Sequence, residues 1–144
     1  MITQLSESQV DCVMEIWLTA NINAHGFIAD SYWESHFDIV KNHYLPDSET
    51  YVYTENSKVC GFVSVLNSNF IGALFVAPDF QCRGIGASLL SYCKERFPSL
   101  RLCAYVENER AVSFYLREGF QILSRSAADD GNHEEYSMIW EKLD

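Results

Sequence analysis

Apolar positions along the chain follow a helical period first and a strand period later. Ile2 to Leu5 reads as a short opening strand. Ser6 and Gln9 form a capping-box pair, and Val10, Val13, Met14, Trp17 and Leu18 then trace one face of a helix ending near Ala20. Asn21 to Ala29 reads as a loop carrying His25, Gly26 and Phe27. A second capping box, Ser31 with Glu34, opens a helix with the stripe Trp33, Phe37, Val40 and Tyr44, which Leu45-Pro46 stops. From Thr50 the pattern alternates. Thr50 to Glu55, Val59 to Leu66 and Asn69 to Val76 form an antiparallel meander, turned by Asn56-Ser57-Lys58 and Asn67-Ser68.

The helical period then returns with Ile85, Leu89, Leu90, Cys93 and Phe97 on one face, ending at Phe97-Pro98. Leu100 to Val106 is another strand, and Asn108 opens a fourth helix in which Ala111, Val112, Phe114 and Tyr115 recur. Gly119 closes it as a C-terminal cap. Phe120 to Arg125 and Tyr136 to Trp140 are the last two strands, around the polar loop Asp129-Asp130-Gly131-Asn132. There are no repeats, low-complexity tracts or linkers, so the expectation is one α+β domain over residues 1–144.

Between the meander and the third helix lies Gln81-Cys82-Arg83-Gly84-Ile85-Gly86. Strand, glycine-rich turn and helix start together make an anion site. Glycine lets the backbone approach a ligand, and the unpaired N–H groups of the first helical turn point at it. No G-K-[ST] follows, and Leu89 stands where a dinucleotide fingerprint has its third glycine. A pyrophosphate-sized site of another kind and an ordinary turn entering an amphipathic helix both remain open.

Composition narrows the classes. The formal net charge of −10 argues against a nucleic-acid backbone as main partner, and suits a cationic substrate such as an amine. Apolar runs fall short of membrane-spanning length, so no membrane role is expected, and no leader-like segment precedes the first amphipathic pattern. Five cysteines without C-x-x-C or zinc-finger spacing imply reduced thiols in a cytoplasmic protein with no metal site.

The fourth helix carries Asn108-Glu109-Arg110-Ala111-Val112-Ser113-Phe114-Tyr115, followed by Glu118-Gly119-Phe120. Together with Gln81 to Gly86, these residues make the motifs Q-x-x-G-x-G and N-x-x-A-x-x-F-Y…G-F. In this order the chain resembles the GNAT superfamily of acyl-CoA-dependent N-acetyltransferases. His25, Phe27-Ile28, Tyr32-Trp33, Gly61 to Ser64, Phe70 and Phe75 to Pro78 resemble in particular its small bacterial protein-lysine acetyltransferases. The resemblance implies a central, mixed, mostly antiparallel sheet flanked by four helices. It also implies acetyl-CoA as cofactor, with CoA as product, and an amine-bearing acceptor, either protein lysine or a small molecule. Backbone groups from Cys82, Arg83, Gly84, Ile85, Gly86 and Ala87 would hold the pyrophosphate, and those of Phe75 and Val76 the pantetheine amides. Asn108 would reach the pantetheine arm, and Tyr115 would sit beside the thioester sulfur. The strands at Phe75-Val76 and Leu100 to Val106 would splay apart to make the slot.

Transfer of an acetyl group from sulfur to nitrogen needs a neutral amine, a donor to the carbonyl oxygen and a proton for the departing thiolate. A backbone N–H near Phe75-Val76 suits the second task, and the Tyr115 phenol the third. Tyr115 is equally an aromatic that packs on the sheet beside Phe114. Many GNAT enzymes carry a glutamate five residues before the motif asparagine, where this chain has Cys103 between Leu102 and Ala104. A buried neutral thiol is a small apolar filler, and no base is assigned. His25, Phe27, Tyr32 and Phe70 are expected to wall the acceptor site, although a loop histidine also serves by bonding backbone. A homodimer is compatible with this reading. The alternative is an acyl-CoA-binding sensor or interaction module without turnover.

Overall fold

The computed structural model describes residues 1–143. Seven strands form one sheet in the order β1-β2-β3-β4-β5-β7-β6. They are β1 (Ile2–Gln4), β2 (Glu49–Glu55), β3 (Lys58–Leu66), β4 (Phe70–Val76), β5 (Ser99–Tyr105), β6 (Gln121–Ala127) and β7 (Glu134–Glu141). Helices α1 (Val10–Ala24) and α2 (Asp30–Ile39) pack on one face. Helices α3 (Ile85–Arg96) and α4 (Glu109–Arg117) pack on the other. This mixed, mostly antiparallel sheet flanked by four helices is the architecture that the resemblance implies.

Strand alternation divides the core between the two faces. Val63, Val65, Leu100, Leu102 and Met138 join Leu89, Leu90, Cys93 and Val112 beneath α3 and α4. Val52 and Phe62 join Val13, Met14, Trp17 and Trp33 beneath α1 and α2. Each fully buried side chain of this size contributes roughly 1.5–3 kcal/mol. The β2–β3 turn places Asn56-Ser57 at positive φ, as a two-residue hairpin requires, and the three-residue β3–β4 loop has Asn67-Ser68 at positive φ before Asn69.

Three helix boundaries differ from the sequence expectation, and the last two strands run longer than expected, over Gln121–Ala127 and Glu134–Glu141. Helix α1 runs four residues past Ala20, because the Asn21 side chain donates back to Trp17 O (2.9 Å) and the His25 backbone N–H caps Asn21 O (3.0 Å). Helix α2 begins at Asp30 behind an extended Ala29, so Ser31 lies inside the helix and is not a cap. Nor does Leu45-Pro46 stop it. A π turn, Val40–Tyr44, follows α2 and leads into a last turn, Leu45–Asp47. The extra residue of the π turn rotates the apolar face, leaving Tyr44 exposed and burying Leu45 in its place.

All neighbouring strands are antiparallel except β4 and β5, which pair only at Phe70↔Arg101. The adjacent bond, Arg101 N–H to Asn69 O (2.7 Å), closes the same end. On its other side β4 skips Gly72, since Ser64 pairs with Ala73 and Val65 with Ile71. A bulge bends and over-twists its strand. Here it lies two residues past the single β4–β5 pair, and β4 leaves β5 from that point. The expected splay is therefore present.

Candidate active site

The open end of the gap between β4 and β5 is a cavity of about 310 Å³. Ile71 to Phe75 line one wall and Leu102 to Tyr105 the other, with Asn108 and Tyr115 at one side. Residues from α1 and α2, and Asp129 and Glu135 from the far end of the sheet, complete it.

Backbone polarity along β4 follows from one bond. Ala77 N–H donates to Cys60 O (2.8 Å), and alternation in an antiparallel pair then directs the backbone groups of Phe75 and Ala73 to β3. Those of Leu74 and Val76 face the gap. Gln81 Nε2 donates to Val76 O (3.3 Å), consistent with that direction. Phe75 itself lends the cavity its ring, packed on Phe62 at 6.1 Å. Leu74, which the motif reading omitted, is the second gap-facing backbone position.

Beyond Val76 the chain enters the glycine turn. Cys82 (φ 64°) and Gly84 (φ 79°) are both left-handed, and a Cβ at Gly84 would meet nothing within 4 Å. Such alternation directs successive N–H groups into one concavity. Ser88 is the first residue of α3 whose N–H reaches a carbonyl of the turn, Gly84 O at 3.0 Å. The amides of Ile85, Gly86 and Ala87 precede any intrahelical acceptor. Arg83 lies over the Phe80 ring and 3.4 Å from Glu55, both groups being solvent-exposed. Arg110 Nη2 lies 3.5 Å from Cys82 Sγ, adding a second guanidinium. Sequence spacing offers no signal for Arg110, because only the packing of α4 beside the turn brings it there.

His25 is buried, at 6% exposure, and both ring nitrogens are engaged. Nδ1 bonds Asn21 O (3.1 Å) and Nε2 bonds Asn108 Nδ2 (3.1 Å). A carbonyl only accepts and an amide NH₂ only donates, so the ring is the neutral Nδ1–H tautomer. Burial lowers its pKa, opposed by the bond to Asn21. Trp33 stacks on the ring at 5.1 Å, with Tyr105 and Phe27 edge-on. His25 thus holds Asn108, whose Oδ1 accepts from Ala111 N–H (3.2 Å) as the cap of α4. His25 also lines the cavity, so the residue expected on the acceptor wall braces Asn108 from there.

The other expected residues divide. Tyr32 lines the cavity, in edge contact with Trp33 at 4.9 Å. Phe27 lies behind the cavity, against Tyr105 and His133. Phe70 occupies the closed end of the gap and is not part of the cavity lining, because the strands meet there. Tyr115 borders the cavity at 9% exposure, between Phe114 (5.2 Å) and Phe120 (5.5 Å). Burial alone raises its pKa, and the hydroxyl has no hydrogen-bond partner among the described residues. Trp33 Nε1, also buried at the cavity, has none either.

Cys103 borders the cavity and is exposed there rather than a buried filler, with its thiol pushed up to about 11 by partial desolvation and then by the charge of Glu135. Glu135 and Asp129 were not anticipated. They lie outside both motifs, and only the β5–β7 pairing carries Glu135 to the cleft. No group of three or more His, Cys, Asp or Glu is arranged for a metal among the described residues.

A family model described as an acetyltransferase (GNAT) domain matches residues 46–122. Peptidyl-lysine N-acetyltransferase YiaC of Escherichia coli is 34% identical over 97% of this chain and 96% of its own length. Peptidyl-lysine N-acetyltransferase YjaB of the same organism is 30% identical over 82% of this chain and 80% of its own. The solution structure of apo YjaB superposes with a TM-score of 0.83 at 25% identity, covering 96% of this chain and 95% of that one. The PaiA N-acetyltransferase from Thermoplasma acidophilum, solved with coenzyme A, shares the fold with a TM-score of 0.80 at 18% identity. That match covers 99% of this chain and 98% of the other.

Proposed function

The chain belongs to the GNAT N-acetyltransferases, and from that premise we propose that it moves an acetyl group from acetyl-CoA to the primary amine of a protein lysine, by direct attack with both substrates bound. The names of the relatives at 34% and 30% identity support lysine as acceptor. The observation that carries the reading is the gap between β4 and β5, which has anion-binding amides at one end and an unpartnered phenol inside it.

The residues present fit the CoA moiety. A Cβ at Gly84 would stand in open space rather than against protein, and Leu74 and Val76 offer a second strand edge to amides laid along it. Cys82 to Ala87 would hold the pyrophosphate, with charge from Arg83 and Arg110. Asn108, braced by His25, would hold the pantetheine arm at the mouth of α4. Acetyl-CoA supplies the activated acetyl thioester. The gap-facing amide of Leu74 or Val76 would donate to the oxygen that gains charge. The Tyr115 phenol, kept protonated by burial, would give its proton to the leaving sulfur and recover one from the amine. Phe75 and Tyr32 would flank the lysine stem. Five unpaired cysteines support work in a reducing compartment, so the reading includes the bacterial cytoplasm.

Acetyl-CoA incubated with lysine peptides and a panel of small amines, with release of free thiol followed, tests this. Release with peptides is the expected result. Release with small amines alone would move the acceptor class. Tight binding without release for any acceptor would make the protein a sensor of acyl-CoA instead.

A further inference from the structure

An acceptor amine arrives as an ammonium, since lysine has a pKa near about 10.4, and it must lose a proton before it attacks. Titratable groups around the cavity can be taken in turn. His25 is buried with both nitrogens bonded, one of them to a donor. Cys103 holds its proton, with its thiol pushed up to about 11. Burial raises the pKa of Tyr32 and of Tyr105, so both phenols hold their protons. Asp130 accepts from the His133 ring and from the backbone N–H groups of Asn132 and His133, so its oxygens are engaged. Asp129 is exposed in the loop between β6 and β7.

Glu135 differs from all of these. It lies on β7 directly opposite Tyr105, while Cys103 pairs with Ser137. Residues directly opposite or two apart share one face of a sheet. Cys103, Tyr105, Glu135 and Ser137 therefore face the α1 and α2 side together, with Glu135 on the diagonal from Cys103. It is half-buried, it lines the cavity, and no Lys or Arg lies within salt-bridge distance among the described residues. On β6 its neighbour is Ser126, and the charges nearest to it are those of Asp129 and Asp130. A half-buried carboxylate with no cation, beside two more carboxylates, is a site that an ammonium completes. The unpartnered Tyr115 phenol, nine-tenths buried on the same cavity, independently marks this space as a ligand's.

We infer that Glu135 is the proton acceptor for the amine, taking the ammonium proton directly or through one water. The inference rests on the acetyltransferase reading. Of the two N–H protons lost as ammonium becomes amide, one passes to Glu135 and then to bulk water. The nitrogen lone pair forms the C–N bond, the C–S bond breaks, and the second proton balances the one Tyr115 gives to sulfur. Burial, followed by the charge of Asp129, places Glu135 above the usual glutamate range, nearer the working pH that a base needs.

The test compares the wild type with Glu135→Gln, which keeps the shape and removes the charge. At neutral pH kcat/KM for a lysine peptide falls by roughly 10² to 10⁴, while calorimetry gives an unchanged CoA affinity. The wild-type rate rises through the Glu135 titration. The variant lacks that limb and climbs only toward the lysine pKa. Carboxyl-carbon NMR on the ligand-free protein reads Glu135 titrating above ordinary glutamates, independently of turnover. Adding Cys103→Glu to Glu135→Gln returns a carboxylate to the adjacent strand and restores the lost limb. If Glu135→Gln folds poorly, Glu135→Asp serves, retaining the limb at reduced rate. An active wild type with an equally active Glu135→Gln, or a change confined to KM, overturns the assignment. A wild type that releases no thiol with any acceptor overturns the acetyltransferase reading instead.

Discussion

Replacing Tyr115 by Phe separates catalysis from stability. The phenol is 9% exposed, packed between Phe114 and Phe120, and its hydroxyl reaches no acceptor among the described residues. Removing the oxygen leaves the ring and its contacts in place. A hydroxyl taken from water without a compensating bond costs about 0.5–2 kcal/mol on scales that allow partial compensation. Because this one opens on the cavity, its removal returns up to about 1 kcal/mol. For a chain of this length that is a rise of about 2–4 °C in Tm. Catalysis moves the other way. Loss of a positioned acid costs a factor of roughly 10² to 10⁴ in kcat, or about 2.7–5.4 kcal/mol of barrier. Differential scanning calorimetry beside steady-state thiol release reads both, with CoA affinity from titration as the control. A drop in Tm of several degrees would mean that the hydroxyl is bonded in the resting protein. An unchanged kcat would remove Tyr115 from the chemistry, and either result refutes the reasoning.

Gly84→Val introduces a side chain at φ 79°, where backbone strain costs of order 1–3 kcal/mol; CoA affinity is expected to collapse while circular dichroism retains the fold. Arg83→Ala and Arg110→Ala should each weaken CoA binding about tenfold, an effect that calorimetry finds smaller as salt rises. His25 stays neutral when folded because burial lowers its pKa. Below its unfolded pKa of about 6.5 the unfolded chain binds a proton that the native state does not. Stability contributed by neutral His25 is therefore full above that pH and declines as pH falls toward the lowered folded value. Urea midpoints between neutral and mildly acidic pH should show this decline in the wild type and lose its one-proton share in His25→Gln.

Much of the architecture depends on short-range chemistry and could be read before any coordinates. Period alone separates the helices from the strands. Asn-Ser pairs close both hairpins, and Gly84 and Gly119 stand at the positive φ values their roles need. The glycine turn and the Asn108 cap are likewise local, because their partners lie within a few residues. The contents of the cleft are not. One π turn exchanges Tyr44 for Leu45 at the core. His25 pairs with Asn108, 83 residues away. Arg110 and Glu135 reach the site from strands and helices whose own patterns are satisfied without it. Sequence determined which segments could form an acyl-CoA slot, since helix caps, turns and periodicity act over a few bonds. Which side chains face that slot was decided only by the Gly72 bulge and by sheet register, where a shift of one residue turns every side chain to the other face.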